Sequence, residues 1–111
     1  MVYVDPLFEW PAELVSDPQA RRLTQKYGKW SHMFADTEAE LVAFGRKIGM
    51  RPQWLQKRGT SDAHFDLVPT KRRLAVQLGA REITQLEAVN MRREKRGQAA
   101  LQGNLFKEAS E

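Results

Sequence analysis

Apolar residues in this chain switch between a period of two and a period near 3.6, and the switches divide it into short strands and short helices. Val2-Tyr3-Val4 is β-branched and aromatic and stops at Asp5-Pro6. This predicts a first strand with Val2 and Val4 on one face and Tyr3 and Asp5 on the other. Trp30, His32 and Phe34 alternate with Ser31, Met33 and Ala35, a second half-buried strand. Asp36-Thr37-Glu38-Ala39-Glu40 then supplies a capping box, with Thr37 accepting from the Glu40 N–H and the Glu40 side chain reaching back. Leu41, Phe44 and Ile48 share one face of the helix that follows, and Gly49 closes it.

The remaining segments read in the same terms. Trp10-Pro11 and Ser16-Asp17-Pro18 resemble helix starts, and Pro18 to Tyr27 predicts a short helix ended by Gly28, so that residues 7–28 form an insert or lid. Trp54 and Leu55 are expected as a core anchor ahead of a turn at Gly59-Thr60-Ser61-Asp62. His64-Phe65-Asp66-Leu67-Val68 alternates, with His64 and Asp66 on one side of a strand and Phe65 and Leu67 on the other. Pro69-Thr70 introduces a helix from Lys71 to Leu78 closed by Gly79, and its apolar members are Leu74, Ala75 and Leu78. Arg81-Glu82-Ile83 is a short last strand. Thr84-Gln85-Leu86-Glu87 repeats the capping-box pattern ahead of a helix to about Arg96, with Leu86 and Val89 inward.

Strands alternating with helices of this length predict a small single α/β domain over residues 1–96. Its sheet is short and partly parallel, with three or four strands and flanking helices, and 97–111 form a polar C-terminal tail in which Leu105 and Phe106 are docking candidates. Ligands are then expected beyond the carboxyl ends of the strands. At 111 residues the chain can bury a core without staples. Cysteine is absent, which removes disulfides and thiol chemistry and suits a reducing cytoplasm. No secretory signal is visible and no stretch approaches the roughly 20 apolar residues of a membrane span, so a cytoplasmic protein without membrane partners is expected. The pattern specifies no oligomeric state.

Charge is unevenly spread. Residues 1–45 carry a net −3, 46–96 a net +8 and the tail −1, within a total of +4. The basic second half can attract phosphate, nucleic acid or an acidic protein, and it also fits helices with solvated Lys and Arg faces.

Several short stretches bear a family likeness. Tyr3-Val4-Asp5-Pro6, Trp10-Pro11, Trp30-Ser31-His32-Met33 with Ala35-Asp36, Glu40-Leu41 with Phe44 and Ile48-Gly49, His64-Phe65-Asp66, and the series Arg73, Ala75, Gly79-Ala80 resemble the bacterial and phage family known as domain of unknown function 4031. The likeness covers about residues 2–83. This chain departs from the pattern by a longer insert between Trp10 and Trp30, which lacks the His-Gly found there in many relatives. The resemblance implies a small cytoplasmic protein, often phage-borne, and no assigned activity.

Candidate chemistry gathers on Asp5, His32, Asp36, His64 and Asp66, all on or near strands. Imidazole and carboxylate serve either as ligands of a divalent metal or as general acids and bases. His32, His64 and Asp66 are the catalytic candidates. Asp5, Ser31, Asp36, Arg72 and Arg73 are the ligand-binding ones, with Lys71 beside them. A divalent metal would draw on His32, Asp36, His64 and Asp66. Each also has a structural reading: a core histidine bonded to a carbonyl for His32, a helix cap for Asp36, a surface pair for His64 and Asp66.

The leading expectation is binding, with or without hydrolysis, of a nucleotide or other phosphorylated small molecule, aided by free N–H groups at helix starts near Thr37 and Thr70. One alternative is nucleic-acid binding through Arg92, Arg93, Lys95 and Arg96. Another is a module that occupies a host protein through Trp10, Trp30 or Trp54.

Overall fold

A computed structural model describes residues 1–101. Leu105 and Phe106 lie outside the described residues. The strands are β1 (Val2–Val4), β2 (Phe8–Glu9), β3 (Lys29–Ala35), β4 (Phe65–Leu67) and β5 (Arg81–Glu82). The α-helices are α1 (Pro18–Tyr27), α2 (Glu38–Lys47), α3 (Pro69–Gln77) and α4 (Gln85–Lys95). β3 is the longest strand and the one that β1, β2 and β4 all pair with, each antiparallel. β5 adds to β1 in parallel. The fold is α/β with a mixed sheet of five strands. The parallel component expected from the strand-helix alternation is confined to the β1/β5 pair.

The alternation along β3 sorts its residues onto two faces of the sheet. Met33 and Ala35, with Val2 and Val4 of β1 and Phe65 and Leu67 of β4, join Leu41 of α2, Ile48 just after it and Ala75 of α3 in the main core. On the opposite face Phe34 and Tyr3 are covered by Ile83 and by Ala88 and Met91 of α4. Farther along that face the Trp30 indole donates to Thr24 Oγ1 of α1. Helices α1 and α4 thus cover the two ends of one sheet face, and α2 and α3 back the other.

Local signals explain most element boundaries. Asp17 accepts from the Ala20 N–H at the start of α1, and Gly28 ends that helix in the left-handed conformation at φ 71°. The Thr84/Glu87 capping box closes in both directions at α4. At α2 only half of the expected box forms. Thr37 accepts from the Glu40 N–H, but the Glu40 carboxylate binds the Met1 ammonium at 2.6 and 2.7 Å, because the β1/β3 pairing brings Met1 alongside.

Other expectations change. Trp10-Pro11 leads into a single 3₁₀ turn, Ala12–Leu14, after the unexpected strand β2. Of the Trp54-Leu55 anchor only Leu55 is buried. Trp54 is exposed, with the Arg51 guanidinium over its ring. Trp30 is half-buried, and Leu78 lies on the exposed side at the end of α3. α3 begins two residues earlier than expected, at Pro69 after Val68, so Thr70 is inside the helix and does not cap it.

α2 packs tightly on β4 at Gly45, where a Cβ would lie 2.7 Å from the Phe65 ring. Phe65 is fully buried and cannot yield. Alanine at a helical glycine normally stabilises by about 0.5–1 kcal/mol, whereas overpacking a core costs about 1–3 kcal/mol. Gly45→Ala is therefore expected to destabilise by about 1–2 kcal/mol net, read as a lowered urea midpoint with an unchanged slope.

Candidate functional site

The ladder between β1 and β3 changes at Asp5. Pairing runs Val2↔Ala35 to Val4↔Met33 and resumes at Phe8↔Trp30, so three residues, Asp5 to Leu7, stand opposite two, Ser31 and His32. One extra residue makes this a bulge, the usual device for re-aiming a side chain from a sheet. The Asp5 N–H still donates to the His32 carbonyl at 3.1 Å. The return bond is not made by the Asp5 carbonyl, which instead accepts from Arg72 Nε of α3 at 2.9 Å. The Asp5 side chain takes its place: Oδ1 accepts from the His32 backbone N–H at 2.6 Å and Oδ2 lies 2.6 Å from His32 Nδ1.

On its other edge β3 pairs with β4, placing Asp66 directly opposite His32. Asp66 Oδ1 is 3.8 Å from His32 Nε2 and 3.4 Å from His64 Nε2. His64 is two residues back along the same face, and its ring meets that of His32 edge-on with centroids 5.0 Å apart. His64 Nδ1 lies 2.6 Å from the Asp62 carbonyl, and Gln56 Nε2 donates to Asp66 Oδ2. The ligating atoms of His32, His64 and Asp66 all lie within 4.8 Å of one another, a spacing at which these residues can hold a metal. Phe8 stacks on the far face of this group, 5.0 Å from the His32 ring. Burial opposes protonation of His64, but the bonds to Asp66 and the Asp62 carbonyl outweigh it and raise its pKa above the usual histidine value.

These residues form the floor of a cleft of about 780 Å³ between α1 and α4. Its insert side is lined by Phe8, Trp10, Leu14, Val15 and Trp30, and its α4 side by Val89, Arg92 and Arg96. Arg96 pairs with the Asp62 carboxylate at 3.1 Å. Arg92 is near enough to His64 to oppose its protonation, and among the described residues it forms no ion pair. The insert 7–28 therefore packs as one wall of the cleft.

The structure brings together Asp5, His32, His64 and Asp66. It separates Asp36. In an antiparallel pair the carboxyl ends of β1 and β3 point opposite ways, so Asp5 and Asp36 sit at opposite ends of the ladder. Asp36 binds the Met1 ammonium at 3.2 Å and the Tyr3 hydroxyl at 3.0 Å, and these outweigh burial to hold its carboxyl below the usual range. For the same reason the site lies on a sheet face and not beyond a row of parallel strand ends. Ser31, adjacent to His32, points to the opposite face and is fully buried.

Arg72 reaches the Asp5 carbonyl and Glu82 but does not line the cleft, and neither does exposed Arg73. Lys71 donates to the Ile48 carbonyl. The basic set on α4 divides: Arg92 and Arg96 line the cleft, whereas Arg93 donates to the Ala99 carbonyl and Lys95 to that of Ala35. Neither Thr37 nor Thr70 borders the cleft.

Sequence reasoning missed Gln56, Asp62 and Phe8. Gln56 and Asp62 meet the site only because the 56–64 loop folds back to bridge Gln56 with His64. Phe8 sits in a two-residue strand too short for any periodic signal.

The two aspartates that looked alike in sequence have unequal structural roles. Asp5→Ala leaves the part-buried His32 N–H without its acceptor and the imidazole without its carboxylate, and is expected to cost about 2–3 kcal/mol. Asp36→Ala removes an exposed ion pair and the acceptor of the Tyr3 hydroxyl, and is expected to cost about 1 kcal/mol. Chemical denaturation of the two variants side by side measures the difference.

Among the described residues no helix is long and apolar enough to cross a membrane. No curated protein and no solved structure matches the chain. Residues 2–95 match the family model described as "Protein of unknown function (DUF4031)", an extent that includes every element from β1 to α4. On that match, the chain belongs to the DUF4031 family.

Proposed function

We propose that the cleft between α1 and α4 binds a nucleotide or a closely related phosphorylated small molecule. The observation that carries this reading is the pairing of two arginines with an aromatic wall across one floor. Arg92 and Arg96 stand on the α4 side, and Phe8 and Trp10 on the other, in edge contact with ring centroids 6.2 Å apart. Guanidinium groups recognise phosphate through paired N–H donors, and an indole that is 46% exposed offers a stacking surface for a base. Arg92 is half-buried and has no carboxylate partner among the described residues, so an incoming phosphate would supply the anion.

In this reading Arg92 and Arg96 replace Arg72 and Arg73 as the phosphate contacts. His32, His64 and Asp66 are the groups that would carry hydrolysis of the bound ligand. The setting we assign is a bacterial or phage-infected cytoplasm, which a cysteine-free chain suits.

A thermal-shift panel of nucleoside mono-, di- and triphosphates, pyrophosphate and inorganic phosphate tests the reading. A ligand at 100 times its Kd adds about 2.7 kcal/mol, so at least one nucleotide is expected to raise Tm by several degrees. Arg92→Ala with Arg96→Ala is expected to remove that shift. A panel without any shift, or a shift indifferent to both arginines, contradicts the proposal. Steeply salt-dependent retention of oligonucleotides without any response to mononucleotides would favour nucleic acid as the ligand instead.

A further inference from the structure

Three lone-pair donors converge on one point of the cleft floor, and the bonds around them define which atom of each is the donor. His32 Nδ1 faces the Asp5 carboxylate at 2.6 Å, so that nitrogen carries the proton and Nε2 the lone pair. His64 Nδ1 faces the Asp62 carbonyl, which can only accept, and the same assignment follows for its Nε2. Gln56 occupies Asp66 Oδ2, which leaves Oδ1 directed at both imidazoles, 3.4 Å from one Nε2 and 3.8 Å from the other.

Two imidazole lone pairs and a carboxylate oxygen at these distances repel unless positive charge lies among them. One proton bridges a single ring nitrogen to Asp66 and leaves the other unpartnered, and a proton on each ring pairs both with Asp66 only by setting two imidazolium charges on rings 5.0 Å apart. A single divalent ion satisfies all three. Ligands about 2.0–2.1 Å from a tetrahedral ion stand about 3.3 Å from each other. The His64–Asp66 pair already has that spacing, the His32–Asp66 pair needs to close by about half an ångström, and the two imidazoles, whose ligand atoms lie within 4.8 Å, close by rotation of their rings.

We propose that His32 Nε2, His64 Nε2 and Asp66 Oδ1 form a mononuclear site for a divalent first-row transition ion, with its remaining coordination positions open to the cleft. Two imidazoles and one carboxylate favour zinc, manganese, iron or cobalt over magnesium and calcium, which take oxygen ligands. The outer bonds from Asp5, Asp62 and Gln56 are the supports that metal ligands characteristically have, since they set the tautomer of each ring and orient the carboxylate. Asp36, four residues along from His32, has no part in the site because it sits at the other end of the ladder. Metal binding does not depend on the ligand being phosphorylated.

Isothermal titration of the tag-free, chelator-stripped chain with zinc, manganese and cobalt, each alone, tests the site. The expected result is one ion per chain. Asp66→Asn is expected to weaken binding by about 100-fold or more, and Asp5→Asn, which acts through His32, by about 10–100-fold. Asp36→Asn is expected to bind as the unaltered chain does, and magnesium and calcium are not expected to compete. Circular dichroism of the stripped variants separates lost ligation from lost folding. Visible absorption of the cobalt-loaded unaltered chain provides a readout without any variant, with bands of nitrogen-and-oxygen ligation expected. No saturable binding of any of the three ions, binding that Asp66→Asn leaves within about threefold, or a cobalt spectrum matching the aquo ion would each overturn the proposal. No phosphorylated compound enters these measurements, so their failure and that of the nucleotide reading are distinguishable.

Discussion

The Asp5 carboxylate holds together the point where β1 leaves β3. A buried backbone N–H without a partner costs a substantial fraction of a domain's net stability. At the bulge the His32 N–H would be such a group, since the Asp5 carbonyl has turned toward Arg72. Asp5 Oδ1 takes that N–H, and Oδ2 fixes the imidazole ring of the same residue. One side chain therefore repairs the sheet and orients His32, and the orientation of His32 directs its Nε2 at Asp66.

Around this point the two faces of the sheet have divided roles. The face carrying Met33, Phe65 and Leu67 is packed to the limit, with Gly45 of α2 leaving no room for a Cβ over the Phe65 ring. Among the described residues the helices cover the other face at its ends, Thr24 of α1 over Trp30 and Ala88 and Met91 of α4 over Tyr3 and Phe34. The middle, between these helices, carries His32, Asp66 and His64, with Phe8 stacked on His32. Close packing on one side supplies a rigid platform for polar groups on the other, the arrangement that a binding site needs if its geometry is to be held within fractions of an ångström. Arg72 links the two sides, since α3 packs on the core face while its guanidinium reaches the Asp5 carbonyl.

The electrostatic character of the cleft comes from α4 and the loop before β4. Asp62 uses its carbonyl to hold His64 and its carboxylate to hold Arg96, so the ring and the helix are positioned through one residue. Arg92 has no such tether among the described residues, so of the basic residues on the last helix and its end only Arg92 and Arg96 line the cleft, one untethered and one held by Asp62.

The local sequence determined the element types and the contents of each face. Alternation in Trp30 to Ala35 and in His64 to Val68 put His32 on the face opposite Met33 and put His64 and Asp66 opposite Phe65 and Leu67, and the caps at Asp17, Thr37 and Thr84 set the starts of three helices, because those signals act over two to four residues. Strand direction was beyond its reach, since pairing depends on contacts between residues about 30 positions apart. The antiparallel register of β1 on β3 kept Asp5 with His32 and sent Asp36 to Met1, and β4 on the other edge brought Asp66 opposite His32. The same register turned Ser31 into the core beside a site residue, while the fold-back of the 56–64 loop delivered Gln56 and Asp62. Which polar residues share a face was written in the periodicity; which of them touch was decided only when the strands paired.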